Sequence, residues 1–184
     1  GTISKSDSMF AFLKKFRGYY YFYLLLIKAI PIYIIYIFKI IDKNKFKESF
    51  LNIFLLNFSK YRIEKIANNF AKNYRLNLKN SAIRYIDLLK KDPNNEITIV
   101  SASLDIWINP IAKGLGIKSI STLANYRNNL FVGINGKNCW GEEKVIRVKQ
   151  VYNLDDFEEI FIFGDSKGDK QLYELGLKKH NFFN

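Results

Sequence analysis

Hydrophobic positions repeat with helical spacing over the first half of the chain and break into short strand-like runs over the second. Residues 9–17 alternate apolar and basic side chains and read as a short helix. Residues 45–58, 63–74 and 81–91 read as further helices, with Ile63, Ile66, Ala67, Phe70 and Tyr74 on one face of the second. Asp92-Pro93-Asn94-Asn95 is a turn. From residue 96 the pattern alternates. Strands are expected at 97–103, 118–123 and 159–163, a β-hairpin arm at 130–136, and helices at 105–115, 142–152 and 169–175. Gly116 and Gly176 stand where two of these helices would be capped, and Pro110 offsets the first turn of the helix at 105–115. Alternation of this kind predicts an α/β fold, a parallel sheet with helices on both faces. The sequence contains no internal repeat and no low-complexity linker.

Chemistry collects where the strands end. The apolar run at 160–163 stops at Gly164, and Asp165 and Asp169 follow four residues apart in Gly164-Asp165-Ser166-Lys167-Gly168-Asp169. In an open parallel sheet, ligands bind at the carboxyl ends of the strands. Neighbouring carboxylates there repel unless a cation lies between them, and hard oxygen donors suit magnesium. A second strand ends in two hydroxyls, Val100-Ser101-Ala102-Ser103. Gly141-Glu142-Glu143-Lys144 opens a helix with a lysine in its first turn, a point charge suited to phosphate oxygens. Taken singly, each residue has a plainer reading. Asp165 can be a helix cap, Ser101 can satisfy local backbone, and Lys144 can be a solvated helix residue.

Composition narrows the class. A chain of 184 residues with 48% hydrophobic content supports one domain, or a core with a modest insertion. Its one cysteine, Cys139, excludes a disulfide framework and fits a reducing cytoplasm. Its one histidine, His180, makes a histidine-based mechanism or a zinc site an unsuitable reading. The formal net charge of +12 goes with abundant Lys, Asn, Ile, Phe and Tyr, a composition that reads as codon bias toward A and T. With no zinc finger, RNA-binding motif or compact basic run, no nucleic-acid partner is expected.

A hydroxyl, a lysine and an acidic pair in that order resemble motifs II, III and IV of the haloacid dehalogenase superfamily. The resemblance is to its subfamily IB, the phosphoserine-phosphatase-like branch. It rests on Val100-Ser101-Ala102-Ser103, on Asn138-Cys139-Trp140-Gly141-Glu142-Glu143-Lys144 and on residues 164–169, and it spans nearly the whole chain. It implies a Rossmann-like parallel-sheet core formed by 1–13 and 92–184, with an inserted helical cap at 14–91. It implies a phosphoric monoester hydrolase using Mg2+ and an aspartyl-phosphate. Ser101 and Lys144 would be catalytic; Ser101, Ser103 and Lys144 would bind phosphate; Asp165 and Asp169 would hold the metal. The family's first motif, D-x-D-G-T, ends the first core strand. Gly1-Thr2-Ile3 resembles its tail, so the nucleophile and its strand are expected ahead of Gly1, and the chain as it stands is expected to be inactive.

The cap carries the most unusual segment. Residues 19–41 are apolar on all sides apart from Lys28, Pro31 and Lys39, dense in tyrosine, and flanked by Lys14, Lys15 and Arg17 and by Lys43, Lys45 and Lys47. That length suits a membrane span. Because the resemblance puts motifs on both sides of it in one site, both ends must lie on one side of a bilayer. Pro31 then suggests two half-helices dipping into one leaflet, or an in-plane anchor. The alternative is a segment that packs within the cap. A lipid phosphate such as phosphatidylglycerophosphate, as hydrolysed by the phosphatidylglycerophosphatase C group of the superfamily, is the substrate this implies. The location would be the cytoplasmic side of the inner membrane, or the cytoplasm. A soluble phosphatase for phosphoserine or another small phosphomonoester is the alternative.

Overall fold

The computed structural model describes residues 2–176 and the backbone of 178–181. Five helices come first: α1 (Ser8–Arg17), α2 (Tyr19–Ile37), α3 (Lys43–Leu55), α4 (Lys60–Tyr74) and α5 (Asn80–Leu89). There follow β1 (Thr98–Leu104), α6 (Asp105–Leu115), β2 (Lys118–Arg127), β3 (Leu130–Asn135), α7 (Glu142–Val151), β4 (Phe161–Gly164) and β5 (Lys178–Asn181). Helix starts are chemically marked. Asp7 Oδ1 accepts the Met9 and Phe10 amides, Asp42 Oδ1 accepts that of Lys45, and Ser59 Oγ accepts that of Arg62. Gly116, in the left-handed region at φ 66°, ends α6.

The strands form two sheets. β1 pairs in parallel with β2, from Thr98↔Lys118 to Ser101↔Ser121, with an irregularity before Leu104. β2 then turns back through Asn128 and Asn129, both at positive φ, into antiparallel β3. β4 and β5 form a second, parallel pair. The fold is therefore α/β with a parallel-containing sheet, and among the described residues the two sheets share no ladder.

One hydrophobic core joins the helices to the larger sheet. Phe12 of α1 stacks on Trp107 of α6 with ring centroids 4.6 Å apart, and both are fully buried. Phe22, Leu25 and Ala29 seat one face of α2, with Phe22 against Phe54 of α3. Residue 14 lies within α1, and the helices of 14–91 share this core with the β-rich half. Helix α3 meets β3 closely: Glu48 Oε1 accepts the Ile134 amide, and a Cβ on Gly133 would lie 2.3 Å from that oxygen.

Three local expectations are corrected. Helix α2 does not break at Pro31; it runs unbroken to Ile37. The proline removes only its own amide, while Phe22, Leu25 and Ala29 hold the helix to its neighbours. The helix expected at 169–175 is instead two short 3-10 turns, Lys167–Asp169 and Leu172–Leu175, and Gly176 is extended. The Asp169 carboxylate ties back to the amides of Asp165 and Ser166, which tightens the chain there. The strand expected at 118–123 extends to Arg127 because it continues into the hairpin.

Truncating the buried partner of the Phe12 stack tests this shared core. Trp107→Ala is expected to lower unfolding free energy by about 3–5 kcal/mol. Urea unfolding followed by circular dichroism should show one transition moving to lower denaturant; two transitions would indicate separate cores.

Candidate active site

The carboxyl end of β1, the first turn of α7 and the loop after β4 meet around one buried ion pair. Lys144 Nζ lies 2.5 Å from Asp169 Oδ1, and both side chains are almost wholly shielded from solvent. The same ammonium donates to the Val100 carbonyl at 3.1 Å, so it fastens β1 to the loop after β4. The second oxygen of Asp169 accepts the Asp165 amide, the Ser166 amide and Ser166 Oγ, the last at 2.7 Å. Burial works against a charge on Asp169. The positive charge of Lys144 and hydrogen bonds from Lys144 and Ser166 outweigh it and hold the carboxyl below the usual range.

Asp165 is exposed at the lip of this assembly, and its Oδ1 accepts Thr2 Oγ1 at 2.9 Å. The segment leading into α1 thus lies at the end of β4. Ser101 adjoins Val100 in sequence, and its hydroxyl accepts the Ser103 amide at 3.1 Å. Ser103 Oγ lies 3.0 Å from Ser8 Oγ, which also accepts the indole N–H of Trp107. The structure therefore brings Lys144 and Asp169 into direct contact and sets Asp165 beside them. Hydrogen bonds tie the two serines to each other and to α1.

Several contributors had no role assigned from sequence. Arg147 is a clamp: it donates to Glu143, to the Ser121 carbonyl and to the Lys137 carbonyl, fixing α7 against β2 and the loop after β3. The i,i+4 spacing of Glu143 and Arg147 was the visible signal. Thr122 Oγ1 lies 2.7 Å from the Ala102 carbonyl and 2.9 Å from Asn138 Oδ1, and it accepts the Cys139 amide. Lys47, counted only among the basic flank of the apolar segment, reaches this network from α3 and donates to the Ala102 carbonyl and to Asn138 Oδ1. Trp140 lies under Lys43, whose amine is 3.3 Å from the ring centroid. The indole also packs over Gly168 so closely that a Cβ there would lie 2.2 Å from Nε1. Cys139 is buried, and that burial pushes its thiol pKa up, so it is not an activated nucleophile.

The donor set suits Mg2+ through one carboxylate rather than two. Asp165 is a hard oxygen donor at the site's edge, whereas both oxygens of Asp169 are committed to Lys144 and the loop. Among the described residues no three His, Cys, Asp or Glu side chains converge. Magnesium often takes one or two carboxylates and completes its shell with water and substrate phosphate. An open cleft of about 710 Å³ lies elsewhere, at the amino ends of β1 and β2. Its carboxylate, Glu96, is paired with Lys118, so it lacks the acidic chemistry of the β4 end.

Comparison with known proteins assigns the chain to a family. The model of the haloacid dehalogenase-like hydrolases matches residues 1–174. This chain belongs to that family. Protein CicA of Caulobacter vibrioides is 29% identical over 184 residues, covering 97% of this chain and 81% of that protein. A Bordetella pertussis protein described as of unknown function superposes with a TM-score of 0.80 at 21% identity, covering 97% of this chain and 84% of its own. A phosphoserine phosphohydrolase-like protein from Francisella tularensis gives a TM-score of 0.61 at 21% identity, covering 94% and 77%. At these identities the two structures establish a shared fold.

Two outcomes check the buried pair. Lys144→Met leaves the Asp169 carboxylate buried without its cation and is expected to cost about 3–5 kcal/mol in chemical denaturation. Because the Asp169 carboxyl is held low, its contribution to stability is present above its unfolded pKa of about 3.9 and is lost as pH falls through the folded value. Unfolding free energies measured from pH 6 downward should therefore fall in the acid range, and Asp169→Asn should flatten that fall.

Proposed function

We propose that this chain supplies the phosphate and metal end of a magnesium-dependent phosphoric monoester hydrolase, acting on a lipid phosphate such as phosphatidylglycerophosphate. The observation that carries the hydrolase reading is the buried Lys144–Asp169 pair beside exposed Asp165, at the carboxyl ends of β1 and β4. Asp165 is the residue to hold Mg2+. When bound, the ion would neutralise charge on the phosphoryl oxygens. Asp169 holds Lys144 and the loop in place and so acts on the ion indirectly. Lys144 and Ser101 attract and orient the phosphoryl group. In the proposed reaction, the nucleophilic carboxylate of the family's first motif attacks phosphorus, the ester P–O bond breaks, and the leaving alkoxide takes a proton from that motif's second carboxyl group, which later takes one back from the attacking water. Water then cleaves the aspartyl-phosphate to inorganic phosphate.

Helix α2 supports the lipid substrate and a site at a membrane surface. It is long and apolar enough to cross a bilayer by length and composition, yet only one narrow face is packed. Tyr19, Tyr20, Ile27, Ile30, Tyr33 and Ile37 are each at least half exposed. An exposed apolar face beside lysines is the form of a helix lying in a membrane interface. Lys14 reinforces this arrangement by resting 4.5 Å from the Tyr19 ring centroid and 5.2 Å from that of Tyr23. This reading places the protein at the cytoplasmic face of the inner membrane. The second reading, a soluble phosphatase for phosphoserine or a similar small monoester, draws support from the fold shared with the Francisella protein.

The deciding assay uses the chain with Asp-x-Asp joined ahead of Gly1. Magnesium-dependent phosphate release from phosphatidylglycerophosphate in mixed micelles, abolished by Asp165→Asn, is the expected result. Turnover confined to phosphoserine would replace the lipid reading with the soluble one.

A further inference from the structure

Among the described residues, Lys47 forms no ion pair. Its half-buried side chain leaves α3 and ends at the carboxyl end of β1, where its ammonium donates to the Ala102 carbonyl and to Asn138 Oδ1. A lysine ammonium has three donors. The third has no partner among the described residues, and the side chain makes no ion pair there. Asp7 is the carboxylate whose charge acts on it, but Asp7 Oδ1 is occupied in capping α1. Removal from water lowers the Lys47 pKa to about 8, as expected of a shielded cation without a counter-ion. A shielded, unpaired charge is costly, and such a charge persists most economically where an anion completes it.

Its location says which anion. Ala102 stands between Ser101 and Ser103, and Asn138 begins the segment that leads through Trp140 and Gly141 to Lys144. The Val100 carbonyl is held by Lys144 and the Ala102 carbonyl by Lys47, so two ammonium groups from separate elements bracket the position of Ser101. Helix α3 is held at this spot by more than Lys47. Lys43 covers Trp140, Asn44 Oδ1 accepts the Asn138 amide at 3.2 Å, and Glu48 accepts the Ile134 amide. Residues 43, 44, 47 and 48 form one face of α3, which fixes where the amine can reach.

We propose that Lys47 is a second phosphate-recognising cation, delivered by helix α3, so that the helical half of the chain supplies part of the anion site. This deepens the phosphatase reading and rests on it. Lys144 remains engaged with Asp169, and Lys47 offers its uncommitted N–H to a phosphoryl oxygen at the end of β1. A thermodynamic consequence is that a bound anion removes the cost of the unpaired charge and strengthens the seam between α3 and the sheet.

The test is inorganic phosphate binding by isothermal titration calorimetry on the chain itself, for wild type, Lys47→Met, Lys47→Arg and the exposed control Lys149→Met. Folding of each variant is checked by circular dichroism. Lys47→Met is expected to weaken phosphate by about tenfold or more, Lys47→Arg to recover part of it, and Lys149→Met to change nothing. Unchanged affinity in folded Lys47→Met overturns the proposal while leaving the phosphate site intact. Absence of phosphate binding in wild type overturns both readings. If Lys47→Met does not fold, wild-type protein is labelled with limiting acetic anhydride and read by peptide mass spectrometry. Phosphate should slow acetylation of Lys47 and not of Lys149; equal rates at Lys47 with and without phosphate overturn the proposal.

Discussion

The contact on which the site depends is the ion pair between Lys144 and Asp169. The partners come from different elements: α7 carries the lysine, and the loop after β4 carries the aspartate. Two charges withdrawn from water need each other and further hydrogen bonds to be tolerated. The Val100 carbonyl supplies one of these, and the Asp165 and Ser166 amides with Ser166 Oγ supply the rest. The pair therefore settles three positions at once: the edge of β1, the pitch of α7 and the direction in which Asp165 leaves β4. Arg147 holds the same helix one turn later through two backbone carbonyls.

The helical half is more than a cover for this arrangement. Its core is continuous with that of the sheet through Phe12 and Trp107, and its polar face on α3 meets the strand ends through Lys43, Asn44, Lys47 and Glu48. Apolar burial supplies cohesion without direction, while these four side chains supply register. Gly133 and Gly168 are two of the places where a side chain approaches so closely that a Cβ would collide with it: Glu48 over the first and Trp140 over the second.

Much of this was legible in the sequence. Strand ends at Val100-Ser101-Ala102-Ser103 and at Gly164-Asp165 were visible because apolar β-branched or aromatic runs stop abruptly there. The order hydroxyl, lysine, acidic pair marks β1, the start of α7 and the end of β4 in the sequence itself. What stayed hidden depends on tertiary contact. The continuity of α2 through Pro31 follows from packing of Phe22, Leu25 and Ala29, against a local preference for a break. The replacement of a helix at 169–175 by short turns follows from where the Asp169 carboxylate finds its donors. Lys47 looked like one of several basic residues after an apolar stretch, because its neighbours in space, Ala102 and Asn138, are far away in sequence.

The outward face of α2 also governs how copies of the molecule behave toward each other. Large rings and aliphatic chains stand in water along most of its length, a surface that favours self-association. The net charge of +12 opposes this by keeping copies apart. That repulsion weakens with ionic strength, since at 0.15 M salt charges are screened beyond about 8 Å, whereas apolar attraction is not screened. Colloidal stability should therefore be greatest in dilute salt, and it should recover when an amphiphile occupies the helix.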